Sequence, residues 1–526
     1  MAKVGMLVFL LMLASSVFAQ EASLIDVLQA KGVLSKQEAQ RLKKSKPAKA
    51  EYDQAALIQL LQTKGVLSEQ DLTALKQPTA PVVVATPAVS AAPDVTERLS
   101  RLESQQQTLE AQQHAQAEQQ TKTAEELKKT TVADVKKSID WLNRFSFSGD
   151  MRNRFEGIYQ SHGPNATARN RERLRLRFGV TAKVTDEVLA GFRLVSGDPN
   201  DPISNMQTLG DAFTKKPISL DQAYITLSPK QSIGLGDWAW TPISITAGKF
   251  ANPLFKPRAL IPSEMLWDED LMPEGTTETL TVFEGTTGVL RRLQLHAIQW
   301  TAREIASAAD SWVFGGQAVA VLQASPALRW TGGLGQYYYA KSDVLAQSRN
   351  TNNSLKLTNS VILRDGTIVP GGQLIVPGSG GKQIKQYLGG FNIMNGSFQL
   401  EYDTSHPRWP FTLMGDFAHN FDAKNGKDFA FWAGASLGAT KDPGDWAFSA
   451  LWTYTDTNSV VSYFSYSDYG RDGGTNLQGP AVRVDYMLYP RFVLTAKNGF
   501  VSYIHRPSGQ SNSEVYRLQL DATLAF

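Results

Sequence analysis

The chain has 526 residues, 42% of them hydrophobic and 20% charged, with a formal net charge of +3 and no cysteine. That length accommodates more than one domain, and so small a net charge excludes a globally basic nucleic-acid binder. The lack of cysteine removes disulfides, thiol catalysis, cysteine–metal sites and lipidation through cysteine.

The N-terminus begins with Lys3, an apolar run from Val4 to Leu13, and Val17-Phe18-Ala19, which has small residues where a signal peptidase reads. Residues 1–19 are expected to be a secretory signal peptide cleaved before Gln20. The run is short for a membrane span. No other uninterrupted apolar stretch reaches ~18 residues, so a crossing of the membrane has to be made by a barrel.

Residues 20–77 hold an internal repeat. LIDVLQAKGVLSKQEAQRLKK, from Leu24, matches LIQLLQTKGVLSEQDLTALKQ, from Leu57. Each copy reads as a helical hairpin. Gly32 supplies the left-handed stop. Ser35 and Glu38 form a capping box for the second helix, and Ser68 and Asp71 repeat it. A periplasmic docking module and a plain helical spacer both fit. Residues 78–93, PTAPVVVATPAVSAAP, form an extended linker. Residues 94–142 are expected to be a coiled-coil helix. Val95, Leu99, Leu102 and Leu109 step at heptad spacing, and Val132, Val135, Ile139 and Leu142 resume it in another register. Glutamines 106 and 113 weaken the seam, which suits a self-associating coil better than a lone helix.

Residues 143–526 change character. Segments of period two follow one another, as strands with two different faces require. In FSFSGDMRNRF, Phe145, Phe147, Met151 and Phe155 oppose Asp150, Arg152 and Arg154. In RNRERLRLRF, Leu174, Leu176 and Phe178 oppose Arg171, Arg173, Arg175 and Arg177. Later segments such as DQAYITL, DWAFSALWTY and GPAVRVDYMLY continue to the end. Some are separated by short turns (KDPGD, PR) and others by long polar loops, such as residues 342–385. That asymmetry predicts an all-β transmembrane barrel of about sixteen antiparallel strands. Trp446, Trp452, Tyr454, Tyr337, Tyr338, Tyr339, Tyr486 and Tyr489 are expected in its interfacial girdles. In the last segment Tyr516, Leu518, Leu520, Ala522, Leu524 and Phe526 share one parity and Arg517, Gln519, Asp521 and Thr523 the other.

That closing strand, with its terminal Phe, resembles the assembly signal of bacterial outer-membrane barrels. Over residues 144–526 the chain resembles the putative-porin family, in which a short helical region precedes a barrel of about sixteen strands. The resemblance implies passive diffusion of small hydrophilic solutes, a homotrimer, and Phe526 as an assembly signal. It places the protein in a Gram-negative outer membrane, in contact with its lipid, with the N-terminal region in the periplasm and open to cell-wall contact. It brings no cofactor, and no nucleic-acid partner is expected.

Cost assigns the arginines. A guanidinium facing lipid at mid-bilayer costs about 2–4 kcal/mol. Arg152, Arg154, Arg171, Arg173, Arg175, Arg177 and Arg193 are therefore expected to line a water-filled lumen, with Glu172 at a rim. The segment ANPLFKPRALIPSEMLWDEDLMPEG, residues 251–275, carries Glu264, Asp268, Glu269, Asp270 and Glu274 beside Leu266, Trp267 and Leu271. Apolar anchors in an acidic loop suggest that it folds into the barrel as a constriction facing the arginines. An outward loop with scattered charge is the alternative.

Catalytic and metal residues are not expected. The six histidines form no HExxH pattern, and there is no Walker A or GxGxxG run. GASLG, around Ser436, matches GxSxG but lies inside a predicted strand, where no strand-turn-helix elbow forms. The functional expectation is a porin with an Arg-lined pore. The alternatives are a phosphate- or anion-selective channel and a structural tether between outer membrane and cell wall.

Overall fold

The computed structural model describes residues 141–160, 168–470, 473–506 and 514–526, together with helical positions Ala111, Ala115, Glu118, Gln119, Thr121 and Lys122. The signal peptide, both hairpin repeats, the linker and most of the expected coiled coil lie outside the described residues. A single 3-10 turn, Trp141–Arg144, leads into the first strand.

Sixteen strands form the wall: β1 (Phe145–Gln160), β2 (Arg169–Lys183), β3 (Val188–Ser196), β4 (Ile218–Leu227), β5 (Ile243–Lys249), β6 (Glu274–Glu284), β7 (Leu290–Arg303), β8 (Ser311–Ser325), β9 (Leu328–Ala340), β10 (Asn392–Tyr402), β11 (Phe411–Asn420), β12 (Phe429–Gly438), β13 (Trp446–Thr455), β14 (Leu477–Tyr489), β15 (Phe492–Tyr503) and β16 (Glu514–Ala525). Each pairs antiparallel with the next, and β16 returns to pair with β1, Asp150 opposite Ala525. The sheet is closed, which leaves no unpaired edge for a hydrocarbon environment. A two-residue strand, Gln207–Thr208, extends the pairing of β2 beyond β3. The connections at one end include β8–β9 and β14–β15, each of two residues. The opposite end carries residues 197–217, 250–273, 341–391 and 456–476, and the third of these contains a small three-stranded sheet.

Alternation produces the two faces. Phe147, Phe178, Phe192, Leu295, Phe314, Phe417, Phe448 and Leu520 point outward and are exposed, as a lipid-facing band requires. Trp446, Trp452, Tyr338 and Tyr489 join that exposed surface. Tyr337 and Tyr339 do not belong to a girdle: they flank Tyr338 on the opposite parity and are buried inside the barrel, 1% and 3% exposed.

The terminal residue completes the closure. The Gly149 N–H donates to the Phe526 carbonyl at 2.9 Å and the Phe526 N–H donates back at 3.0 Å. The Phe526 ring lies over Gly149, where an added Cβ would come within 2.5 Å of both that ring and the Arg177 carbonyl. Only glycine leaves room for the ring there.

Candidate functional site

The interior is not an open tube. Residues 250–273, between β5 and β6, cross it. The loop is held to the far wall by polar contacts that strands β8, β10 and β11 present. The Phe255 N–H donates to the Gln317 Oε1 at 2.7 Å, and the Gln317 amide donates to the Phe255 carbonyl at 2.9 Å. The Arg258 N–H donates to Gln399 at 2.7 Å, and the Ser263 hydroxyl to Asp416. The apolar anchors are buried: Ile261, Met265, Leu266 and Leu271, with Trp267 3% exposed. Trp267 meets Trp300 at 5.3 Å, Tyr337 at 5.6 Å, Phe464 at 6.0 Å and Tyr339 at 6.2 Å between ring centroids. Such a cluster contributes packing beyond simple area burial.

Phe464 belongs to a second inward loop, residues 456–476 between β13 and β14. The Asp268 N–H donates to the Phe464 carbonyl at 2.7 Å, and the Tyr466 N–H to the Glu264 carbonyl at 3.0 Å. Behind it, Asn359 of the β9–β10 loop donates to the Thr457 and Val460 carbonyls at 2.7 and 2.8 Å. The sequence reading did not find this loop. Its SVVSYFSYSDYG run is bonded through hydroxyls, amides and backbone, so it lacks the apolar-among-acid pattern that marks residues 251–275.

The two loops fill the β7–β13 side of the lumen. The charged wall formed by β14, β15, β16, β1 and β2 remains. The register aligns it: Asp150 faces Arg177, Arg152 faces Arg175, Arg154 faces Arg173 and Glu156 faces Arg171. On the other side of β1, Arg154 faces Asp521 and Arg152 faces Thr523. All seven arginines named from the sequence have a carboxylate partner. Arg152 lies 3.8 Å from Asp521, and the Arg154 Nε donates to that carboxylate at 2.7 Å. Arg171 pairs with Glu156, and Arg173 lies 3.7 Å from the same group. The Arg175 and Arg177 Nε atoms donate to Asp150 at 3.0 and 2.6 Å. The Arg193 Nε donates to Asp221 at 2.6 Å. These carboxylates share the arginines' parity. The pairs that Arg152 and Arg154 make with Asp521 depend on a register between strands more than 350 residues apart, which local patterning does not carry.

The loop acids meet this wall unequally. Asp270 lies 3.8 Å from both Arg175 and Arg177, and accepts from the Asn205 N–H at 3.1 Å. Burial alone would raise its carboxyl, but the two arginines hold it below the usual carboxylate range. Glu269 pairs with Arg258 of its own loop and accepts no wall arginine among the described contacts. Glu264 is buried, and its carboxyl accepts from the Glu269 N–H at 2.8 Å. Burial and the Glu269 charge push it up to about 7. Asp268, also buried, accepts from the Asp270 N–H at 2.7 Å, and burial with the Glu264 charge pushes it well above its ordinary value. Glu172 stays exposed on the outward parity. Ser436 sits within β12, without an elbow.

Between wall and loops lies a cavity of about 310 Å³. Arg152, Arg175 and Arg483 border it on one side and Asp268, Glu269 and Asp270 on the other. It runs from Asp468 to Thr440 in the short β12–β13 turn, so it reaches toward the short-turn end. The arrangement can pass or hold a small polar solute between opposed charges. No group of metal-ligating side chains is present among the described residues.

A closed barrel of sixteen strands, apolar outside and charged within, defines an outer-membrane channel of the porin class. Residues 163–367, from the β1–β2 loop through the first inward loop to the β9–β10 loop, match the model of the family described as Putative porin. No curated protein matches the chain. Among solved structures, it is similar to Pseudomonas putida OprB at high pH, with 11% identity, 73% of this chain and 96% of that one covered, and a TM-score of 0.46. It is also similar to Salmonella typhi OmpF in complex with daunomycin, with 7% identity, 73% and 97% covered, and a TM-score of 0.41. The outer membrane channel DcaP of Acinetobacter baumannii gives 8% identity, 73% and 97% covered, and a TM-score of 0.38.

Proposed function

We propose that the protein lets small hydrophilic solutes diffuse passively along the arginine wall, past the constriction made by residues 250–273. The observation that carries this reading is the cavity bordered by wall arginines and loop carboxylates. Fixed charges of opposite sign across a narrow path orient dipolar solutes and hold back poorly oriented ones. Because each wall arginine already has a carboxylate partner, ion selectivity is weak rather than strongly anionic. This pairing favours a general pore over a dedicated phosphate channel. The signal peptide, the long-loop end facing outward, the N-terminal region in the periplasm and a homotrimer aided by residues 94–142 complete the proposal. A tether with a sealed barrel is the competing reading. Single-channel recording of the reconstituted full chain separates them: discrete conductance steps support the pore, and a barrel that inserts without current refutes it.

A further inference from the structure

Asp468, at the tip of the second inward loop, sits in a nest built by the wall. Its Oδ1 accepts from the Arg517 Nη2 at 2.7 Å. Its Oδ2 accepts from the Arg154 Nη1 at 3.1 Å and the Gln519 amide at 3.0 Å. The donors lie on β1 and β16, and among the described residues none comes from the loop itself. Arg517 also donates through Nη1 to the Ser467 and Gly470 carbonyls, at 3.2 and 2.9 Å, so it clasps the whole tip.

The wall does not need this aspartate to close. Arg154 has Asp521, and Arg517 has Glu156 at 2.8 Å. Around the nest, Arg154, Arg171, Arg173 and Arg517 supply four positive charges against Glu156 and Asp521 of the wall, an excess of two. Asp468 offsets one of them. Arg173 is 6% exposed, and its Nε is buried without a hydrogen-bond partner among the described residues. Without the loop tip, the wall therefore presents an electropositive seat with convergent donors. Two of its donors hold one carboxylate oxygen and one holds the other, a spacing that fits a planar, two-oxygen anion. The cavity of about 310 Å³ is bordered by both Arg154 and Asp468, so a solute in it reaches the seat directly.

We propose that Asp468 is a tethered stand-in for solute: its carboxylate occupies an oxyanion seat on the arginine wall that a small dissolved carboxylate takes over, releasing the loop tip and widening the path. The inference rests on the pore reading above and adds a solute class to it. The exchange is noncovalent: the incoming carboxylate takes the three hydrogen bonds to Asp468, and water replaces the two that Arg517 makes to the Ser467 and Gly470 carbonyls.

The test is single-channel recording of the full chain in bilayers, wild type and Asp468→Asn, with potassium chloride, acetate or phosphate at equal ionic strength. In the wild type, acetate should raise open occupancy about tenfold over chloride, the equivalent of about 1.4 kcal/mol. Phosphate should do markedly less. Asp468→Asn should already be open in chloride, and added acetate should then reduce its current by binding the vacated seat. Heat-modifiable migration checks the variant's fold, and the wild-type comparison stands without it. Wild-type currents in acetate and chloride that differ only by free ion mobility would overturn the proposal, as would equal conductance of variant and wild type in chloride. Phosphate acting as strongly as acetate would overturn the carboxylate assignment. Absence of current from either protein in every salt would refute the pore itself.

Discussion

Asp150→Asn tests whether the wall carboxylates set the selectivity of the pore. Asp150 accepts from Arg175 and Arg177 together, with Nη2 contacts of 2.9 and 2.5 Å besides the two Nε bonds. The substitution keeps the shape and removes one negative charge, leaving Asp270, at 3.8 Å, as the remaining partner of both arginines. A unit charge about 6 Å from an ion in a wet lumen changes its energy by about 0.7 kcal/mol at a dielectric constant of about 80. That is about threefold in local concentration, upward for anions and downward for cations, or about tenfold in their ratio. Screening limits it: the Debye length is about 30 Å at 0.01 M salt and about 3 Å at 1 M. Reversal potentials across a potassium chloride gradient should therefore move toward chloride at low salt and hardly move at high salt. The barrel should still form, because the strand ladder does not involve this side chain. A shift that is absent at 0.01 M, or equally large at 1 M, would place Asp150 away from the ion path and refute the reasoning.

Replacing Arg173, Arg175 and Arg177 together with Gln should shift the same reversal potential the other way, toward cations, and remove the ion-pair partners of Asp150 and Asp270. Trp267→Ala removes the ring shared by both inward loops and should cost about 3–5 kcal/mol of local packing; single-channel conductance should rise and its noise increase, while an unchanged trace would show that the loops hold without it. For Glu264, a carboxyl raised from 4.5 to about 7 binds its proton more tightly in the folded state. Its stabilising contribution is full below about pH 4.5 and is lost as pH rises toward 7. Conductance should grow noisier above pH 7, and Glu264→Gln should flatten that pH dependence. Deleting Phe526 should slow barrel assembly more than it changes the conductance of channels that form, and Gly149→Leu should do the same by denying the ring its place; heat-modifiable folded protein at normal yield from both would argue against the closure role.

The wall was readable because a strand repeats every two residues, so parity alone separates Leu174, Leu176 and Phe178 from the arginines between them. The first inward loop was readable for a related reason: Leu266, Trp267 and Leu271 have no use in a solvated acidic loop. What escaped has a common cause. Tyr337 and Tyr339 look like girdle residues until the parity of Tyr338 is fixed by its neighbours. Asp521 and Arg154 become partners only when the chain closes on itself. The second loop turns inward through hydroxyls and amides whose partners lie on other loops, and no local pattern announces such pairings.

The aromatic cluster around Trp267 makes half of this barrel an inside-out hybrid. Against β7–β11 the interior is packed like the core of a soluble protein, while the outer surface of the same strands needs only to be greasy. Tolerance to substitution should follow that inversion. On the outer surface, Leu295, Phe314 or Phe417 can exchange with other apolar residues, since lipid tails adapt to any shape. Inside, Trp300, Tyr337 and Met265 sit in a jigsaw where a lost ring or methyl leaves a void that neighbours cannot fill. Across the lumen, on the arginine wall, shape matters less than the sum of charges. One barrel thus carries three substitution regimes, and a deep mutational scan read by residue parity would divide it along those lines.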